Sequence, residues 1–230
     1  VGTIILVRHG QASFGSSNYD QLSPLGFEQA KVLGAHLKQR LPKVDVALMG
    51  SMRRHRETAE TCLAAMGGDL PLTEDARLNE YTFEAILQAH TPRYADLKHM
   101  RDDLARSGNP QKAFQAVFAE AMARWTGGEF DDEYQESWPV FKQRCSTALD
   151  SLVASLGPSK TALVFTSGGF IGVTVQRLLG LTAKQAFAFN WNIANGSISK
   201  LLYGSRGLSL QSFNEHGHLE TTDGHLLSFR

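Results

Sequence analysis

The chain has 230 residues, 42% of them hydrophobic, and its 23 Lys and Arg balance 23 Asp and Glu, so the formal net charge is zero. That length and apolar content can bury a sizeable core. The even charge argues against the cationic footprint of a nucleic-acid binder and the polybasic face of a membrane-surface protein, and no apolar run reaches the roughly 18–20 residues that span a bilayer.

Residues 3–8 (TIILVR) form a short, β-branched apolar run, the pattern of a strand buried on both faces. A Gly/Ser-rich loop follows over 10–21. Ser23-Pro24 then offers an N-cap and a first-turn proline for a helix expected to reach about residue 41. Residues 44–49 (VDVALM) read as a second strand ending at Gly50-Ser51. The stretch 53–66 reads as a helix, with Ala59, Leu63 and Met66 on one face and Gly67-Gly68 as its stop. Residues 83–135 look least like core. They are helical in composition, broken at Pro92, Gly108-Asn109-Pro110 and Gly127-Gly128, and are expected to form an insertion over the active-site end of a sheet. Residues 161–166 (TALVFT) form another buried strand, Gly168-Gly169 lead into a helix to 179, and 197–203 with 208–213 read as a hairpin with a four-residue loop. Strands alternating with helices imply an α/β fold: a three-layer sandwich with a mostly parallel central sheet flanked by helices and a C-terminal β-hairpin. A single domain over 1–230, with 83–135 as a helical cap, is the expected organisation.

In open α/β sheets, ligands bind beyond the carboxyl ends of the strands. Three segments put polar groups at such ends: Arg8-His9-Gly10-Gln11, Gly50-Ser51 leading to Arg53-Arg54, and Thr166-Ser167-Gly168-Gly169. Two guanidinium groups, an imidazole, a hydroxyl and helix N-termini suit a phosphoryl group, because Arg offers bidentate charge-assisted hydrogen bonds and helix N-termini add unsatisfied N–H groups.

Val7-Arg8-His9-Gly10-Gln11 resembles the Arg-His-Gly signature of the histidine phosphatase superfamily, the phosphoglycerate mutase-like enzymes. In a chain of this composition a random Arg-His-Gly is expected only roughly 0.04 times. Leu22-Ser-Pro-Leu-Gly-Phe-Glu-Gln-Ala30 resembles the start of that family's following helix. Arg54-His-Arg-Glu-Thr-Ala-Glu60 is similar to its Arg-x-x-x-Thr-Ala-Glu segment, Leu78-Asn-Glu80 to the segment supplying its general acid, and Glu136-Ser137 with Arg144 to the helix before its late strand. The resemblance implies phosphomonoester hydrolysis through a phosphohistidine on His9. Arg8 and Arg54 would hold the phosphate, and Glu80, with a pKa raised by the bound phosphate, would act as general acid and then base. Ser167, Gly168, Gln11, Ser13 and Asn18 are further candidates to reach the phosphate.

One position departs from the family pattern: Ser167 stands where a second histidine, followed by Gly, would hydrogen-bond the phosphoryl group. A hydroxyl is neutral and short, so the site is one charged donor poorer. His55 is expected at the surface, partial replacement of the missing histidine being the alternative. Arg53 and Arg56 are expected to be solvated, and Trp125, Trp138 and Phe141 to be core. Phosphatase is favoured over mutase, because the sugar-phosphate mutases continue Leu-Asn-Glu with Arg-His-Tyr-Gly and this chain continues Tyr81-Thr-Phe-Glu-Ala-Ile86. Two rival readings are a phosphoester-binding scaffold without turnover, and a serine hydrolase using Ser167 with His216 or His218 as base. A dinucleotide site at Ser167-Gly-Gly-Phe-Ile-Gly172 lacks its first glycine and its acidic partner.

No metal or cofactor is expected, since the arginines neutralise the phosphate, and His216, His218 and His225 have no ligand spacing. The expected partner is a small phosphorylated substrate, with no nucleic acid and no membrane; a homodimer is left open. Cys62 and Cys145 are too few for a disulfide framework, and residues 1–8 lack the features of a signal peptide, so a cytoplasmic protein is expected.

Overall fold

A computed structural model of the chain describes residues 1–13, 20–68, 70–220 and 224–229. It divides into two compact units, Val1–Glu80 with Cys145–Arg230, and Tyr81–Arg144. The first unit contains strands β1 (Gly2–Arg8), β2 (Val46–Met49), β3 (Leu72–Glu74), β4 (Thr161–Thr166), β5 (Ile198–Gly204) and β6 (Gly207–Glu215). They form one sheet in the order β3-β2-β4-β1-β5-β6. β1 to β4 are mutually parallel, whereas β5 runs antiparallel to β1 and β6 antiparallel to β5. The mostly parallel α/β sheet with its terminal hairpin is as expected.

Ser23 caps α1 (Pro24–Arg40) by accepting from the Gly26 N–H, with Pro24 at the first helical position. α2 (Arg53–Met66) ends at Gly67, whose φ of 74° is the left-handed conformation of a C-cap. One face of the sheet packs Ile5, Val7, Ala47, Met49, Leu163 and Phe165 against Leu33 and Leu37 of α1 and Ala59, Cys62 and Leu63 of α2. The alternating residues Ile4, Leu6, Ala162 and Val164 point the other way and are just as buried. Burial on both faces explains why β1 and β4 read as unbroken apolar runs. α7 (Gly168–Leu179) packs on β1 and β6.

Four details differ from expectation. β2 starts at Val46 because Asp45 turns its carboxylate onto the Thr161 N–H and the Lys43 and Lys160 ammonium groups. β3 is three residues long, too short for an alternating pattern. α8 (Ala183–Asn190) was not expected; it opens on a capping box between Thr182 and Gln185. The hairpin loop is Ser205-Arg206 rather than four residues, because Gly204 pairs with Gly207 and the latter takes φ +92°, which closes the turn at once.

The second unit is helical, and its breaks fall where Pro and Gly put them. α3 (Phe83–His90) stops before Pro92, α4 (Leu97–Arg106) before Gly108, and α5 (Pro110–Gly127) starts behind the cap of Asn109 and stops at Gly128. α6 (Trp138–Ser155) begins here and continues in the first unit. Tyr81, Trp125, Trp138 and Phe141 form an aromatic core with ring centroids 5.1–5.9 Å apart. Among the described residues no helix is long and apolar enough to cross a membrane.

Candidate active site

The two central strands end together, because Arg8 is registered against Thr166. His9 and Ser167 therefore leave the sheet side by side. The His9 N–H donates to the Thr166 carbonyl (3.0 Å), and its own carbonyl accepts from the Gly196 N–H (3.2 Å) and Asn195 Nδ2 (3.3 Å). The Gly10 N–H donates to Thr58 Oγ1 at 3.0 Å, and that hydroxyl donates to the Arg54 carbonyl at 2.7 Å. One threonine thus ties the loop after β1 to the first turn of α2. A Cβ on Gly10 would lie 2.5 Å from the Gly26 carbonyl oxygen, so only glycine allows the loop to rest on α1.

His9 Nδ1 lies 2.7 Å from the Gly10 carbonyl oxygen. A carbonyl only accepts, so Nδ1 carries the proton and Nε2 presents its lone pair. Arg54 Nε donates to that lone pair at 3.2 Å. Burial first, then the charges of Arg54 and Arg8, hold the imidazole well below the ordinary histidine pKa. His9 is thus a neutral imidazole in one tautomer, the form a nucleophile requires.

Arg54 is itself buried, with 7% of its surface exposed, and its Nη1 pairs with Asp20 Oδ1 at 2.7 Å. α2 has no side-chain N-cap and no acidic residue in its first turn, and it opens on two arginines. Asp20 compensates by accepting from the Arg53 N–H at 2.8 Å, so one carboxylate from the loop before α1 both caps the helix and orients Arg54. Sequence reasoning missed Asp20, Thr58 and Asn195. Thr58 stands in the Arg-x-x-x-Thr-Ala-Glu segment, but nothing local marked Asp20 or Asn195.

On the β4 side, Ser167 precedes α7 in relaxed extended backbone (φ −120°, ψ 170°) and its hydroxyl does not cap that helix. Ser167 Oγ lies instead 2.6 Å from His55 Nε2. His55 is completely buried, which corrects the expectation of a surface residue: it faces inward from α2, its ring centroid 5.7 Å from that of His9. A Cβ on Gly50 would meet His55 Nδ1 at 2.2 Å, so the glycine after β2 makes room for the ring. Gly168 has a similar role: a Cβ there would lie 2.5 Å from Asn190 Oδ1 and 3.6 Å from Arg8 Nε. Arg8 Nη1 donates to the Ile193 carbonyl. Glu80 reaches the start of α7, where its Oε2 accepts from the Gly169 N–H at 3.0 Å.

The remaining candidates have other hydrogen-bond partners or lie outside the described residues. Gln11 Oε1 accepts from the Ser23 hydroxyl and Ser13 Oγ donates to the Leu22 carbonyl, so both side chains serve the entry to α1. Asn18 lies outside the described residues. Arg53 and Arg56 are exposed and paired with Glu57 and Glu74. His216 Nδ1 binds the Asn214 carbonyl and His218 Nε2 the Gly196 carbonyl, which places the two bases of the serine-hydrolase reading on backbone partners. Among the described residues no group of three or more His, Cys, Asp or Glu side chains is placed to hold a metal ion.

Two buried neutral histidines make the fold acid-sensitive. Burial, with Arg54 beside it, also holds His55 well below the ordinary value. In the unfolded chain each ring takes up a proton near pH 6.5. Below that pH the unfolded chain binds more protons than the native one, so stability is lost as pH falls through about 6.5 towards the folded-state values. The pair is expected to cost up to about 2.7 kcal/mol per pH unit there. Thermal melts at pH 7.5, 6.0 and 5.0 check this; a flat midpoint would contradict it.

The model of the histidine phosphatase superfamily (branch 1) matches residues 4–116 and 105–216. The 2,3-bisphosphoglycerate-dependent phosphoglycerate mutase of Bartonella quintana is 25% identical over 191 residues, covering 80% of this chain and 84% of its own. The enzyme of the same name from Rhizobium meliloti is 32% identical over 197 residues, covering 82% and 85%. Among solved structures, a phosphoserine phosphatase variant from Entamoeba histolytica in complex with phosphoserine superposes with a TM-score of 0.68 at 18% identity, covering 95% of this chain and 100% of that one.

Proposed function

The chain belongs to the histidine phosphatase superfamily, and on that premise we propose that it hydrolyses phosphomonoesters through a phosphohistidine on His9. The observation that carries this reading is the His9 ring itself. Its Nδ1–H is tied to Gly10, its Nε2 lone pair lies against the Arg54 guanidinium, and the ring is neutral. The incoming phosphoryl group replaces that contact: Nε2 attacks phosphorus as the ester P–O bond breaks in line, and Arg8 and Arg54 balance the charge on the equatorial oxygens. Glu80 gives its proton to the leaving oxygen. The resulting carboxylate takes a proton from water, whose oxygen attacks phosphorus, and the N–P bond breaks to release phosphate and regenerate His9 and Glu80.

Hydrolysis is preferred to phosphoryl return because the residues after Glu80, Tyr81-Thr-Phe-Glu-Ala-Ile86, depart from the Arg-His-Tyr-Gly of the sugar-phosphate mutases. The names of the relatives keep a mutase as the second reading. Incubation with 3-phosphoglycerate and catalytic 2,3-bisphosphoglycerate separates the two, since a mutase yields 2-phosphoglycerate and a phosphatase inorganic phosphate. Glu80→Gln is expected to lower kcat/KM, which reports the steps up to phosphorylation of His9, by about 10²-fold on alkyl phosphates and much less on p-nitrophenyl phosphate, whose leaving group needs no proton. An equal loss on both substrates would remove Glu80 from the role of general acid.

A further inference from the structure

His55 and Ser167 come from different elements, α2 and the end of β4, yet both are fully buried and meet at 2.6 Å beside the proposed nucleophile. Two protonation patterns fit that distance. With the proton on Nδ1, Nε2 would accept from the Ser167 hydroxyl, and a buried N–H at Nδ1 would have no acceptor among the described residues. With the proton on Nε2, the ring donates to Ser167 Oγ and leaves only a lone pair at Nδ1. An orphaned N–H is the rarer and costlier defect, so the second pattern holds. It frees the serine's own O–H to point elsewhere. His9 and Ser167 follow paired strand ends, and the His55 ring that holds Ser167 has its centroid 5.7 Å from that of His9, so the freed O–H belongs to the neighbourhood of the proposed nucleophile.

We propose that Ser167 and His55 work as one unit, in which the His55 Nε2–H fixes the Ser167 hydroxyl and that hydroxyl donates a hydrogen bond to the phosphoryl oxygen. The second histidine of the superfamily's pattern is thereby divided between two positions: the imidazole has moved to α2, and the residue at the strand end has shrunk to make room. Gly50 belongs to the arrangement, because any side chain there would collide with the ring. The resulting donor is directional but neutral. Ser167 touches the substrate in this scheme, and His55 is a positioning residue that acts through it.

The inference rests on the phosphohistidine reading, and the test keeps the two apart. Rapid-quench trapping of an acid-labile phosphoenzyme on the wild-type protein, with p-nitrophenyl phosphate as the probe, tests the reading alone. On the same substrate, Ser167→Ala and His55→Leu are each expected to lower kcat by about 10²-fold while KM moves less than about threefold. The double variant should lose no more than either single one, because the second residue acts only through the first. His55→Gln, whose amide can donate from nearly the same place as Nε2, should recover most of the loss. Thermal melts of each variant confirm that the protein compared is folded. Losses that multiply in the double variant, or a Ser167→Ala protein within threefold of wild type, would overturn the unit while leaving the phosphohistidine intact. Labelling of Ser167 by a serine-directed phosphonate, with phosphate release undiminished by loss of His9, would overturn both.

Discussion

His9→Ala is expected to reduce phosphate release by at least about 10⁴-fold and to eliminate the acid-labile phosphoenzyme. The size follows from what the ring supplies and what remains without it. Nε2 provides the only covalent route in the scheme, and its loss leaves water to attack phosphorus directly. The arginines should stay in place, so the variant should still bind phosphate, whose affinity the proposal assigns to the two guanidinium groups and the start of α7. Folding should survive, because the loop after β1 is held by its backbone through Thr166, Gly196 and Thr58 rather than by the imidazole. Equilibrium binding of inorganic phosphate to the variant, set beside its rate, makes the separation visible. Unchanged turnover would end the phosphohistidine proposal, whereas loss of phosphate binding together with turnover would point to a collapsed site.

Arg54→Ala comes next, at about 10³–10⁴-fold in kcat/KM, within the range of an arginine that stabilises phosphoryl transfer. Here two losses add. The transition state loses a buried guanidinium, and Asp20 loses its ion-pair partner just where the phosphate must enter. An unpaired carboxylate at that point repels the substrate, so KM should rise as well as kcat fall. Arg54→Lys should recover little. Arg54 contacts His9 through Nε and Asp20 through Nη1 at once, and an ammonium on a flexible stem cannot reproduce that fork. Asp20→Asn should be milder, because its amide keeps an oxygen for the Arg53 N–H. Recovery by Arg54→Lys to within tenfold of wild type would show that charge alone is needed at this position.

Much of this arrangement was legible in the sequence for a specific reason. β1 and β4 are buried on both faces, so each appears as a continuous apolar run whose end marks a candidate site, and Arg8-His9-Gly10 and Thr166-Ser167 lie at those ends. Ser23-Pro24 and Gly180 delimit helices by local chemistry that needs no tertiary partner. What escaped notice depends on contacts between distant segments. Asp20 caps α2 from 33 residues away, and Asn195 reaches back to the His9 carbonyl. His55 shows the limit of local reading: a histidine between two arginines looks solvated, and only the fold of α2 against β4 turns it inward. α8 is a different case, since its Thr182-x-x-Gln185 capping box is a local signal carried by the sequence itself.

The place of β1 in the sheet bears on how the protein comes to be active. Its partners are β4 and β5, and the acceptor–donor pair between His9 and Asn195 spans 186 positions. Such contacts must first meet the entropy of closing a large loop, so they are expected to arrive late in folding, after α1 and α2 have formed and paired locally. A half-folded chain is therefore expected to have these helices before the proposed phosphate site. Recovery of turnover after dilution from denaturant should lag behind recovery of helix signal, and enzymatic activity becomes a measure of the last pairing in the sheet.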